Sequence, residues 1–219
     1  MAAHDSSARW RRRKDARPGE ILAAALACFA ERGFAATRIE EVAARAGVTK
    51  GTVYLYFPSK EELFKEVVRE ALVPNIRRFE ELAAVPADSP AALLRRFILM
   101  WPRLLETSPI GGIPKLVIAE AGNFPDIARF YLDEVVRRGL KLIRGILARG
   151  VERGEFRADL DIERAVYCVI APLLLAALWK HSLEPYDERG PMNREALARA
   201  HVDLLLRGLA ARPEAETGG

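Results

Sequence analysis

Sulfur and imidazole are scarce in this chain of 219 residues, which carries two cysteines and three histidines. Cys28 and Cys168 lie far apart in apolar, helix-like runs, so they offer neither a disulfide framework nor metal-ligand spacing and read as buried structural thiols. His4, His181 and His201 pair by spacing with no cysteine and no carboxylate pair, which removes the usual constellations for nucleophilic or acid–base catalysis. Glu120 is the acidic residue whose apolar neighbours would best suit an all-α enzyme, and a hydrogen-bonding handle in a pocket is the simpler role for it. No catalytic residue, metal or cofactor is expected.

Strand signals are missing as well. No stretch alternates apolar and polar residues over strand length, whereas Ala, Leu, Glu and Arg abound, and an all-α fold follows. The longest uncharged run, Ala165 to Trp179, is fifteen residues, short of the roughly 20 that a bilayer-spanning helix needs. It reads as a buried helix or a subunit interface. Arg9 to Lys14 followed by Ile21–Ala30 has the outline of an export signal, but Ile21, Leu22, Ala25, Leu26 and Phe29 fall on one face of an amphipathic helix. A cytoplasmic protein with no membrane partner is expected.

What the chain does have is asymmetric charge and sharp helix punctuation. Residues 1–60 hold eleven Lys and Arg against six Asp and Glu, while the remainder is nearly neutral, so a polyanion-facing surface belongs near the N-terminus. Residues 1–16 read as a disordered basic arm. A first helix is expected from about Pro18 to Arg32, stopped by Gly33. Thr37-Arg38-Ile39-Glu40 has the form of a capping box for a second helix that ends at Gly47, and Thr49 caps a third that carries Val53 and Phe57 inward and stops at Pro58. Ser59-Lys60-Glu61-Glu62 opens a long linker helix that is bent at Pro74.

Two short helices joined by a tight glycine turn in the most basic part of the chain form a helix-turn-helix, whose second helix enters the major groove. With Val53 and Phe57 inward, Thr49, Lys50, Thr52, Tyr54 and Tyr56 remain for the other faces, and they are donors suited to phosphates and base edges. Gly51 would let the backbone approach the duplex.

The run from Thr37 to Leu63, TRIEEVAARAGVTKGTVYLYFPSKEEL, closely resembles the signature of TetR-family transcriptional regulators, over roughly residues 17–64. The resemblance implies a homodimer on a palindromic double-stranded DNA operator and a small-molecule effector that releases it. It also implies that Thr37, Tyr54, Tyr56 and Lys60 hold phosphates and that Arg38 is among the DNA-binding residues, while Thr49, Lys50, Gly51 and Thr52 face bases, Lys50 reaching guanine O6 and N7. Tyr56 stands where the family often has His, which keeps a phosphate contact but removes the option of charge. The body is similar to that of AefR-like members.

The whole reads as a three-helix head at 17–64 and a helical-bundle body for effector binding and dimerisation at 65–211, about nine helices in all, with a disordered tail at 212–219. The last two helices place more apolar surface than one neighbour could cover, and Val169, Leu173, Trp179, His201 and Leu205 are the expected dimer contacts. Phe97, Met100, Trp101, Leu104 and Leu116 are expected to line an effector pocket. Glu120, Phe130, Tyr131, Tyr167 and Cys168 complete it, for a hydrophobic or amphipathic ligand. A non-specific architectural DNA binder is the alternative, and an all-α enzyme a more remote one.

Overall fold

The computed structural model describes residues 17–85, 89–106 and 110–211 in full, and the backbone of 4–16, 107 and 109. The helices are α1 (His4–Arg32), α2 (Ile39–Arg45), α3 (Lys50–Tyr56), α4 (Lys60–Ala84) and α5 (Pro90–Thr107), followed by α6 (Ile113–Glu120), α7 (Pro125–Tyr131), α8 (Arg137–Glu152), α9 (Ile162–Ser182) and α10 (Arg194–Leu209). Among the described residues there is no named strand, only an isolated bridge between Phe156 and Ala210. A π-helical stretch, Leu132–Val136, joins α7 to α8 through one irregular turn.

Helix α1 starts earlier than expected. Residues 4–16, read as a disordered arm, are helical, and Pro18 lies inside the helix rather than at its start. A proline ring there removes one main-chain donor but leaves the helical φ intact. The arm's side chains and the tail at 212–219 lie outside the described residues. Pro74 is likewise internal to α4.

The chain divides into two units. Unit 1 holds the residues up to Val73 together with Leu116–Tyr131, and unit 2 holds Pro74–Lys115 with everything from Leu132 on. Unit 1 thus runs past residue 64 and takes in the end of α6 and all of α7. The reason is contact. The rings of Phe34 and Phe124 meet edge-on at 4.8 Å, and the guanidinium of Arg69 lies 4.8 Å from the Phe130 ring.

Within unit 1, Phe29, Phe34 and Phe64 form a triangle of rings 5.3–5.5 Å apart around which Ile21, Val42, Val53 and Leu63 are buried. Each such side chain contributes about 1.5–3 kcal/mol by leaving water.

In unit 2, α5, α8, α9 and α10 share a core that contains Leu94, Ile98, Ile146, Val169 and Val202. Asp161 caps α9 by accepting from the Arg164 amide at 3.0 Å, and Asn193 caps α10 through the Ala196 amide at 2.9 Å. α9 spans 21 residues, long and apolar enough in length and composition to cross a membrane. Here Ala165, Val166, Val169, Leu173, Ala176 and Ala177 are buried in the bundle instead. Gly150 of α8 touches the Phe156 ring so closely that a Cβ would sit 2.0 Å from it. That contact holds the chain where Arg157 and Ala211 exchange main-chain bonds with Leu209 and Glu155.

Candidate nucleic-acid interface

The helix-turn-helix is built by local rules. α2 ends where Gly47 takes φ of 66°, a left-handed value that a Cβ disfavours, and the Val48 amide closes back on the Ala43 carbonyl at 2.9 Å. Thr49 then caps α3, its hydroxyl accepting from the Thr52 amide at 3.1 Å. Val53 and Phe57 are buried, which pins α3 from below.

The outer surface of α3 presents Thr49, Lys50, Gly51 and Tyr54, all exposed, with Thr52 half-buried. Thr49 and Thr52 join their hydroxyls at 2.9 Å. Lys50 donates to the Glu40 carboxylate at 2.6 Å and stands 5.8 Å from the Tyr54 ring. This pairing holds the ammonium above its ordinary pKa and the carboxylate below its own. Both side chains are exposed, so the pair is easily exchanged for another partner. Leu55, at the end of the same surface, is 76% exposed. Sequence reasoning passed over it. The signal was available: once Val53 and Phe57 point inward, position 55 must point out, and an apolar group there suits a thymine methyl.

The flanking residues are placed differently. Arg38 is exposed at the start of α2, whereas Thr37 is 2% exposed. Thr37 does not cap α2 as expected. Its hydroxyl donates to the Gly33 carbonyl at 2.7 Å, and Arg38 is the residue at the cap, with its amide held by the Glu41 carboxylate at 3.3 Å. Lys60 is equally committed. Its ammonium donates to the carbonyls of Phe34, Ala35 and Thr37 at 2.8, 3.1 and 3.1 Å and lies 4.6 Å from the Phe34 ring centroid. A lysine with three protons on three carbonyls is a clasp on the α1–α2 turn. Tyr56 is half-buried, its ring 6.4 Å from that of Phe57. The turn is also gripped by Glu120, whose carboxylate accepts the Ala35 amide at 3.0 Å.

The residues expected around an effector are divided between the two units. Leu116, Glu120, Phe130 and Tyr131 belong to unit 1, and Phe97, Met100, Trp101, Leu104, Tyr167 and Cys168 to unit 2. Leu116 is buried, and burial pushes the Tyr131 hydroxyl up to about 12. Phe97 stacks edge-on against Phe79 at 4.9 Å in the core, and the Trp101 indole nitrogen is buried without a partner. Tyr167 and Cys168 face outward, so Cys168 is an exposed thiol rather than a buried one. Among the expected dimer contacts, Val169 and Leu173 are buried in the chain's own core, and the His201 ring meets the Val169 carbonyl at 3.1 Å. Trp179 and Leu205 remain half-buried. α9 is apolar around much of its circumference, so periodicity could not tell its inner face from its outer one.

Among the described residues no group of His, Cys, Asp and Glu could hold a metal ion.

Residues 21–67 match the family model described as bacterial regulatory proteins, tetR family, and residues 87–192 match that of the Tetracyclin repressor-like C-terminal domain. The crystal structure of the TetR family transcriptional regulator PfmR from Thermus thermophilus is 33% identical, with a TM-score of 0.66 over 86% of this chain and 98% of that one. The chain belongs to the TetR family of transcriptional regulators. It is thus a DNA-binding transcriptional regulator, and α3 lies within the residues that match the tetR family model. The chain is also similar to the HTH-type transcriptional repressor KstR2 of Rhodococcus jostii, 29% identical over 90% of this chain and 93% of that protein. A further likeness, in fold, is to the regulator FadR of Bacillus subtilis in complex with stearoyl-CoA, 22% identical with a TM-score of 0.63 over 87% and 98% of the two chains. These relatives are regulators, not enzymes.

Proposed function

We propose that the protein is a cytoplasmic, homodimeric repressor that binds a palindromic operator through α3 and leaves it when unit 2 takes up a hydrophobic or amphipathic small molecule. The observation that carries the reading is the outer face of α3: Thr49, Lys50, Tyr54 and Leu55 stand exposed on a helix fixed from below by Val53 and Phe57. Lys50 and Thr49 read bases, Tyr54 and Arg38 hold phosphates, and Leu55 meets thymine. Thr37 and Lys60 act by shaping the turn that orients α2.

Dimerisation is supported by the outward faces of α9 and α10, where Tyr167, Leu175 and Leu204 are 63%, 56% and 73% exposed. Two heads are needed for two half-sites about one helical turn apart. The name of KstR2 as a repressor and the stearoyl-CoA held by FadR support the sign of control and the kind of effector. The chain is not expected to turn over a substrate.

Selection of bound fragments from random DNA by the purified protein, at near-physiological salt, tests the reading. Enrichment of a palindrome that Lys50→Ala and Tyr54→Phe lose is the expected result. Binding that follows only length and salt would instead indicate a non-specific architectural protein.

A further inference from the structure

His181 stands in the last turn of α9, within unit 2. Its ring packs against the short 3-10 turn Pro109–Gly112 that joins α5 to α6. Gly111 lies so close that a Cβ there would sit 2.9 Å from Nε2, and a Cβ on Gly112 would sit 3.5 Å from Nδ1. The same residue grips α6 a second time, because its main-chain carbonyl accepts from the Lys115 ammonium. Ring and carbonyl together seat the start of α6 on the end of α9.

The seat suits a neutral ring. Nε2 is buried against Gly111 without a hydrogen-bond partner. A bare ring nitrogen can occupy that place with its lone pair, whereas imidazolium carries a proton on both nitrogens and would bury an unanswered N–H. The charges around it act in the same sense. The turn Pro109–Gly112 has no ionisable side chain and α5 brings Leu105, while α9 brings Lys180, α6 Lys115 and α10 Arg194. Of the carboxylates nearby, Glu184 is paired with Arg194 and Glu106 acts on Lys180. Burial first, and then the three cations, hold His181 below the ordinary histidine range.

Helix α6 runs from this seat into the DNA-binding unit. It starts at Ile113, directly after the turn, and ends at Glu120, with residues up to Lys115 in unit 2 and those from Leu116 in unit 1. At its far end the Glu120 carboxylate holds the Ala35 amide at 3.0 Å, in the turn before α2.

We propose that His181 is a proton-sensitive positioning residue for operator binding: the neutral ring seats α6, and protonation lifts Gly111 and Gly112 off it, shifting Glu120 and the turn that Glu120 holds. Acid is then a second input, separate from any effector. The proposal rests on the reading of the protein as an operator-binding repressor. The seated state is fully favoured above pH 6.5. As pH falls below 6.5 the unseated state gains up to tenfold per pH unit, until the lowered value in the seat is reached.

The test measures operator affinity and Tm of the full-length protein at about pH 7.5 and about pH 5.5, on either side of the ordinary histidine value, at fixed ionic strength. The ring titration of His181 is followed by NMR on histidine-labelled protein, its signal identified by its loss in His181→Gln. The parent is expected to lose at least fivefold in operator affinity at the lower pH while still folded, with His181 titrating below 6.5. His181→Gln, neutral at both pH values, should lose less than twofold, and His201→Gln should fall as the parent does. Gly111→Ala, whose methyl displaces the ring, should bind weakly at both pH values, with His181 titrating near 6.5.

A His181 that titrates at or above 6.5 in the parent would overturn the seat. Parent affinity that is flat with pH, or an acid loss that persists in His181→Gln, would overturn the positioning role. If His181→Gln does not fold, Gly111→Ala decides: parental affinity at both pH values with His181 displaced overturns the link to the operator. Failure of the repressor reading itself would show separately, as no enriched sequence in the selection, and the ring titration would still judge the seat.

Discussion

The outer face of α3 and the turn between α1 and α2 draw on the same residue types, lysine and threonine, and use them in opposite ways. On α3, Lys50 and Thr49 are exposed and tied only to neighbours at the surface. At the turn, Thr37 is buried and Lys60 has its three protons on main-chain carbonyls. The first set is available to another molecule and the second is consumed by this one. A family signature names both alike. Only the partners of each side chain separate a residue that reads DNA from one that holds the reader in place.

Substitutions can break that comparison. Lys60→Met should have the largest effect, about 3 kcal/mol of lost stability, because charge-assisted bonds vanish and partly buried carbonyls lose their donor. It should appear as a lower Tm with weaker operator binding. Weaker binding at an unchanged Tm would return Lys60 to the phosphate-contact role. Lys50→Ala should do the reverse. Operator discrimination falls by about 1–3 kcal/mol, while stability measured by denaturant melts stays within roughly 0.5 kcal/mol of the parent.

Thr37→Val should cost roughly 1 kcal/mol in the same melts, since its hydroxyl bond to Gly33 is lost with little change in shape. The smallest effect belongs to Glu40→Gln, which frees Lys50 and removes a negative charge beside the duplex. Operator affinity should rise roughly two- to fivefold at low salt, as expected for an exposed pair. Unchanged affinity would mean that Lys50 does not leave Glu40 on binding. The pair also has a pH sign. Glu40 titrates below its ordinary value, so the attraction to Lys50 is present above pH 4.5 and is lost as pH falls through the lowered value.

Helix limits set by local chemistry were legible in the sequence. Thr49 caps α3 where its side chain allows, Gly47 stops α2, and the inward pair Val53 and Phe57 fixes which side of α3 faces out. What escaped depends on partners distant in sequence. Lys60 clasps residues 23–26 positions away, and Glu120, read as a pocket handle, accepts an amide 85 positions away. The body was harder still. Val169 and Leu173 are as apolar as Leu175 and Leu204, and hydrophobicity alone does not say which of them meets the core.

Gly150 has a meaning for genetics as well as for packing. The Phe156 ring fills the space where a side chain would start, and the segments of chain beside it carry the bonds that fasten the end of α10. A single methyl at position 150 would strike unit 2 and leave every residue of the reading head unaltered. Gly150→Ala is therefore a natural candidate for a conditional allele, a regulator that works in the cold and fails in the warm.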